Sequence, residues 1–131
     1  MGYTSQVAEF TNACHDNLPQ KPVLMTKEAV AFIRKMVNDE LDELEEAHTK
    51  VDQADALVDA IYYICDCAAR HGMNLDPLFD IVHSANMKKV VNGKVIRRPD
   101  GKIMKPEGWE KPEPKLELEM QRQEKKGSFT S

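Results

Sequence analysis

At 131 residues, with 41% hydrophobic and 31% charged side chains, the chain has the size and composition of one folded domain and not of a disordered polymer. A net charge of −4 argues against a nucleic-acid binder, and no apolar run approaches the roughly 20 residues of a membrane span. The opening MGYTSQVAEF lacks a basic end followed by an apolar stretch, and Cys14, Cys65 and Cys67 have no disulfide-framework spacing, so a reducing cytoplasm is expected.

Val7, Phe10 and Cys14 recur at helical spacing and predict a first helix over residues 4–15. Pro19 and Pro22 break the chain. Thr26 is an N-cap candidate for a long helix to about Lys50, and Asp52 for a third helix running to Arg70 and stopping at Gly72. Asp76-Pro77 reads as a cap followed by a first-turn proline, opening a fourth helix to Lys89. Asn92-Gly93 and Pro99-Asp100-Gly101 are turn signals around Val95-Ile96, which predicts a small hairpin or ordered loop. Residues 106–114, PEGWEKPEP, read as an extended arm, residues 115–126 as a charged helix and GSFTS as a frayed end. The expected fold is all-α: a four-helix bundle-like core over residues 1–112 with an irregular, basic C-terminal part, then a charged tail over 113–131.

Charge is unevenly distributed. Residues 38–60, NDELDELEEAHTKVDQADALVDA, hold nine acids against Lys50 alone, whereas residues 88–105 hold seven Lys or Arg against Asp100. On a wheel of the second helix centred on Val37, most acids fall on the polar side, but Glu40 (~300°) and Glu43 (~240°) interrupt the apolar arc. On the third helix, Asp55, Asp59 and Asp66 form a narrow acidic stripe with Asp52 and Arg70, flanked by Tyr62 and Tyr63; almost everything else is apolar. Unpaired buried carboxylates are costly, and metal coordination is one of the few ways to offset that cost. Glu40 and Glu43 project together, as do Asp55 and Asp59, and four carboxylates without a His or Cys ligand suit Mg²⁺ or Mn²⁺. The wheel equally allows a plain reading, in which the stripe is the solvent face of its helix and Asp52 and Asp55 merely sit favourably near a helix N-terminus.

The run Asp39-Glu40-Leu41-Asp42-Glu43 followed by Asp55-Ala56-Leu57-Val58-Asp59 resembles the all-α nucleoside triphosphate pyrophosphohydrolases, which include the MazG-like, dimeric dUTPase-like and phosphoribosyl-ATP pyrophosphohydrolase-like enzymes. Val82-His83, Asn86-Met87, Lys89 and then Asp100-Gly101-Lys102 are similar to the MazG-like form, and the likeness covers about residues 26–112. Two departures stand out: Asp39 replaces the first Glu of Glu-Glu-x-x-Glu, and the later helix has Asp55, four before Asp59, where the common form has a Glu three before. The resemblance implies Mg²⁺-dependent hydrolysis of a nucleoside triphosphate to the monophosphate and pyrophosphate, in a homodimer or homotetramer. It implies Glu40, Glu43, Asp55 and Asp59 as metal ligands, with Asp39 touching a metal-bound water or acting as base. Asn86, Lys89, Lys94, Arg97, Lys102 and Lys105 are candidate substrate contacts, with Trp109 as a stacking or lid residue. For each basic residue a merely solvated role is the plainer reading, and for Trp109 an anchor of the arm. The alternatives are the phosphoribosyl-ATP pyrophosphohydrolase of histidine biosynthesis and a non-catalytic nucleotide-binding helical module.

Overall fold

A computed structural model describes residues 2–129. Five helices form in chain order: α1 (Tyr3–Cys14), α2 (Lys27–Glu46), α3 (Lys50–Arg70), α4 (Leu75–Met87) and α5 (Glu113–Lys126). Between α4 and α5 lies a two-stranded hairpin of β1 (Val90–Val91) and β2 (Lys94–Val95). Asn92 and Gly93 turn it, both at positive φ (53° and 78°), as a two-residue primed turn requires. An isolated antiparallel bridge between Arg97 and Ile103 continues the ribbon past the Pro99-Asp100-Gly101 turn. No helix among the described residues is long and apolar enough to cross a membrane.

The all-α expectation holds: helices pack on one another, with only a two-stranded hairpin beside them. α3 is the centre, with α1 on one side and α2 on the other; α4 packs on α1 and on α5. The near-continuous apolar surface of α3 explains this. Ala56, Ala60, Cys65, Ala68 and Ala69 are buried along it, as are Val7 and Ala8 of α1, which packs on it. Such small side chains let helix backbones approach closely.

Helix ends follow local chemistry, with two corrections. Thr26 caps α2 as expected, its hydroxyl accepting from the Ala29 N–H at 3.1 Å. The cap of α3 is Thr49 and not Asp52: the Thr49 hydroxyl accepts from the Asp52 N–H at 3.1 Å. α3 ends in a Schellman motif, in which Met73 N–H donates to the Ala68 carbonyl and Gly72 N–H to that of Ala69. Gly72 sits at φ 67°, against the Lys21 backbone. A side chain there meets both strain and main-chain atoms.

At α4 the cap is Asn74, whose side chain accepts from the Asp76 N–H. Asp76 turns instead to the first turn of α1. It accepts from the Thr4 N–H (2.8 Å), the Ser5 N–H (3.2 Å) and the Ser5 hydroxyl (2.6 Å). One carboxylate thereby satisfies the free N–H groups of a helix 72 residues away. Burial pushes the Asp76 carboxyl up, but these donors outweigh it and hold the group below its usual range. A carboxyl with a depressed folded pKa stabilises the protein above its unfolded pKa, and that contribution is lost as pH falls through the folded pKa. Asp76→Ala is therefore expected to cost about 1 kcal/mol at neutral pH. Urea titrations across pH should show the deficit whole above about pH 5 and shrinking in stronger acid. A deficit independent of pH would contradict the capping role.

The C-terminal segment is anchored. Gln123 is fully buried; its amide accepts from the Asn74 N–H (3.0 Å) and donates to the Asn74 carbonyl (2.9 Å). Ser128 N–H donates to the Gln20 carbonyl, and the Ser128 hydroxyl to that of Gly72. Gly127 and Ser128 are thus buried, contrary to the frayed end expected for GSFTS, of which Thr130 and Ser131 lie outside the described residues.

Candidate active site

The middle of α2 faces the first half of α3 across their short connection. Glu40 is the only buried residue of α2, 8% exposed. Its Oε2 is the one buried side-chain polar atom among the described residues that has no hydrogen-bond partner. Burial pushes the Glu40 carboxyl up, and so do, in order, the adjacent Glu43 carboxyl and the charges of Asp59 and Asp55. Glu43, Asp59 and Asp55 thus lie near enough to Glu40 for their charges to act on it. Asp59 is half-buried, while Glu43 and Asp55 stand at the exposed edge. Asp39 points away and pairs with Lys35 at 2.9 Å on the solvent side of α2.

Among the described residues no Lys, Arg or His forms an ion pair with Glu40, Glu43, Asp55 or Asp59. Buried carboxylates are normally paired or hydrogen-bonded, and an orphaned oxygen facing three further acids is a costly arrangement. As the side chains stand, no group of three or more His, Cys, Asp or Glu among the described residues is drawn tightly enough together to grip a metal ion. The donor set still fits one. It is all oxygen, one ligand atom is buried without a partner, and Glu43 and Asp55 stand beside it at the exposed rim. That chemistry suits a hard divalent cation and not zinc or copper.

Glu40 of α2 and Asp59 of α3 open onto a cleft of about 390 Å³ lined otherwise by α1, α3 and His15. Phe10 of α1 and Tyr62 of α3 meet edge to face across it, centroids 6.1 Å apart at 70°, with Tyr63 alongside. At its far end Asp66 accepts from the Thr11 hydroxyl (2.6 Å) and from Arg70 Nε (2.8 Å). Tyr62, Tyr63, Asp66 and Arg70 were visible on the wheel of α3 as the flanks and end of the acidic stripe. Phe10 carried no sequence signal beyond its helical spacing.

The basic residues gather elsewhere, around the C-terminal end of α4, the hairpin and the arm. Trp109 donates its indole N–H to the Ala85 carbonyl at 2.8 Å, so it anchors the arm to α4. Lys89 and Lys105 lie over its ring at 5.0 and 4.9 Å. Lys89 also donates to the Asn86 side chain (3.2 Å), and Arg97 to the Gly101 carbonyl (2.7 Å). Lys94 and Lys102 are exposed on the ribbon. None of these seven residues lines the cleft beside Glu40.

The fold is all-α, with acidic pairs on consecutive helices and one acid buried without a partner. The chain belongs to the phosphoribosyl-ATP pyrophosphohydrolase family, whose model matches residues 7–86, more than half of its length. That family is part of the MazG-like all-α NTP pyrophosphohydrolase superfamily. The match spans α1 to α4, the acidic pairs and the whole lining of the cleft. No curated protein matches the chain.

Proposed function

We propose that the protein is a Mg²⁺-dependent nucleoside triphosphate pyrophosphohydrolase, with Mn²⁺ able to substitute for Mg²⁺. The observation that carries this reading is the buried, unpartnered Glu40 oxygen among three further carboxylates, in a family of nucleotide pyrophosphohydrolases. In the reaction the α–β anhydride bond breaks. Water supplies OH to one phosphorus and a proton to the other fragment, giving the monophosphate and pyrophosphate. A divalent cation, when bound, neutralises the charge of the polyphosphate and of the acids around it. Glu40, Glu43 and Asp59 hold it, with Asp55 at the open edge. The rigid α2–α3 pair fixes their spacing, and positioning supplies most of what phosphoryl chemistry needs from a protein.

The family match supports phosphoribosyl-ATP as substrate equally well. The basic ribbon and arm lie outside the cleft of their own chain, so in this reading they serve a neighbouring copy. Assembly into a homodimer or homotetramer fits the surface: Val30, Phe32 and Leu41 of α2 and Leu57, Val58 and Ile61 of α3 are all exposed. Single exposed apolar residues are ordinary, but so many on one helix pair mark an interface. The test is incubation of purified protein with Mg²⁺ and a panel of nucleotides, with its solution mass measured alongside. Pyrophosphate plus monophosphate is expected, from a particle of at least two chains. Release of orthophosphate and diphosphate, or no turnover with any member of the panel, overturns the reading; a monomer overturns the assembly.

A further inference from the structure

At the C-terminal end of α3, away from the acids, three soft donors meet. Cys67 Sγ lies 3.9 Å from Met25 Sδ and 4.0 Å from His71 Nδ1. We propose that Met25, Cys67 and His71 form a binding site for a soft monovalent cation, Cu(I) or Ag(I), separate from the acidic site. The cluster uses no residue of the candidate active site and stands whether or not the pyrophosphohydrolase reading does.

The fold brings the three together from two segments. α3 supplies Cys67 and, one turn on, its capping residue His71. Met25 comes from the segment ahead of α2, which is held against that helix end: the Val23 N–H donates to the His71 carbonyl at 2.9 Å. All three side chains are half-buried, so a small ion can reach them from solvent. Cys67 lies ~12 Å along the helix axis from Asp59, well clear of the carboxylates.

Thioether and thiolate sulfur are soft ligands, and imidazole accepts many of the same metals. Hard cations that suit the carboxylates do not choose such a set. With metal–sulfur bonds of ~2.3 Å, the length of a zinc–thiolate bond, an ion touching both sulfurs at their present separation subtends ~115°, close to trigonal. His71 is the third ligand. Its Nδ1–H donates to the Cys67 carbonyl at 2.7 Å. With the ring proton on Nε2 instead, Nδ1 presents a lone pair beside Cys67, and that hydrogen bond is exchanged for a bond to the ion.

Charge decides the valence. Burial and then the Asp66 charge push the Cys67 thiol up, with Arg70 opposing, so the sulfur carries its proton at neutral pH. On binding, the S–H bond breaks, the metal–sulfur bond forms and the proton leaves to water. One thiolate with a monovalent ion leaves the cluster neutral, which a half-buried position favours. The Asp66 carboxylate, a second negative charge that a divalent ion would call for, is engaged by the Thr11 hydroxyl and Arg70.

The experiment uses Cu(I) alone as the probe, held without oxygen against a competing chelator. The protein is the full chain carrying Cys14→Ser, which removes the exposed thiol. About one equivalent is expected, bound more tightly as pH rises because a proton is released. It should also raise the melting temperature. Cys67→Ser should abolish both effects. Met25→Leu, close to Met in volume, and His71→Phe should each weaken binding at least about tenfold. Glu40→Gln should hold Cu(I) as the parent does. Affinity unchanged in Met25→Leu or in His71→Phe would overturn the inference, since a thiol alone would then account for the binding. So would an equivalent that survives Cys67→Ser or is lost in Glu40→Gln.

Discussion

Glu40→Gln is expected to lower pyrophosphate release by at least about a hundredfold and, in the same protein, to raise the melting temperature measured without metal. The two effects have one cause. Glu40 is buried with an oxygen that finds no partner, and Glu43, Asp59 and Asp55 all disfavour its charge. Removing that charge relieves repulsion in the metal-free fold, while the amide keeps the shape of the side chain. It also removes an anionic oxygen ligand from a site whose cation contributes several kcal/mol to stabilising transferred phosphate charge, which converts to two or more decades in rate. A functional residue held at the expense of stability should behave in this opposed way. Asp39→Asn offers the contrast. Asp39 is exposed and pairs only with Lys35, a contact worth about 0.5 kcal/mol, so its loss should leave the metal-free melting temperature almost unchanged. A Glu40→Gln protein that is both active and no more stable would remove the argument from burial.

Gln123→Ala is expected to be the most destabilising single change in the C-terminal third. Its amide satisfies both backbone groups of Asn74 and touches Glu119 at 3.0 Å, and Gln123 itself has no solvent exposure. Truncation strands a buried donor and a buried acceptor at about 1–3 kcal/mol each. Some of that is recovered by relaxation, which leaves a net loss of about 3 kcal/mol and a melting temperature lower by about 10 °C for a chain of this size. Glu117→Ala, on the exposed side of the same helix, should shift it by less than about 2 °C. Thermal unfolding followed by circular dichroism separates the two. Equal shifts would mean that α5 is not pinned through Gln123.

Periodicity carried the sequence reading where side chains face their own helix neighbours. It placed Glu40 inside the apolar arc of α2, and Glu40 is buried there. It made α3 the central helix, and α3 is the one that packs on both α1 and α2. Turn chemistry located the hairpin, because Asn-Gly states its own backbone conformation. Contacts between distant segments left no such mark. Asp76 looks like the cap of the helix it starts, yet its oxygens serve α1. Gln123 sits in a polar helix and is nonetheless fully buried, because what it matches is the backbone of Asn74. The loops were the least legible: a wheel cannot place Lys89 and Lys105, which lie over Trp109. Within the acidic run Asp42, Glu45 and Glu46 are exposed, as are Glu43 and Asp55, whereas Glu40 is buried and its carboxyl is pushed up by burial and by the charges of Glu43, Asp59 and Asp55.

The most direct test of the central claim, that the acids around Glu40 are a cation site for a polyphosphate, is a Mn²⁺ titration followed by electron paramagnetic resonance. It should be run on the full chain with and without a non-hydrolysable nucleoside triphosphate analogue. The account predicts Mn²⁺ held by the protein, more tightly with nucleotide present, displaced by Mg²⁺, and weakened at least about tenfold in Glu40→Gln. Mn²⁺ binding that is absent in the wild-type protein, or identical in Glu40→Gln, would contradict it.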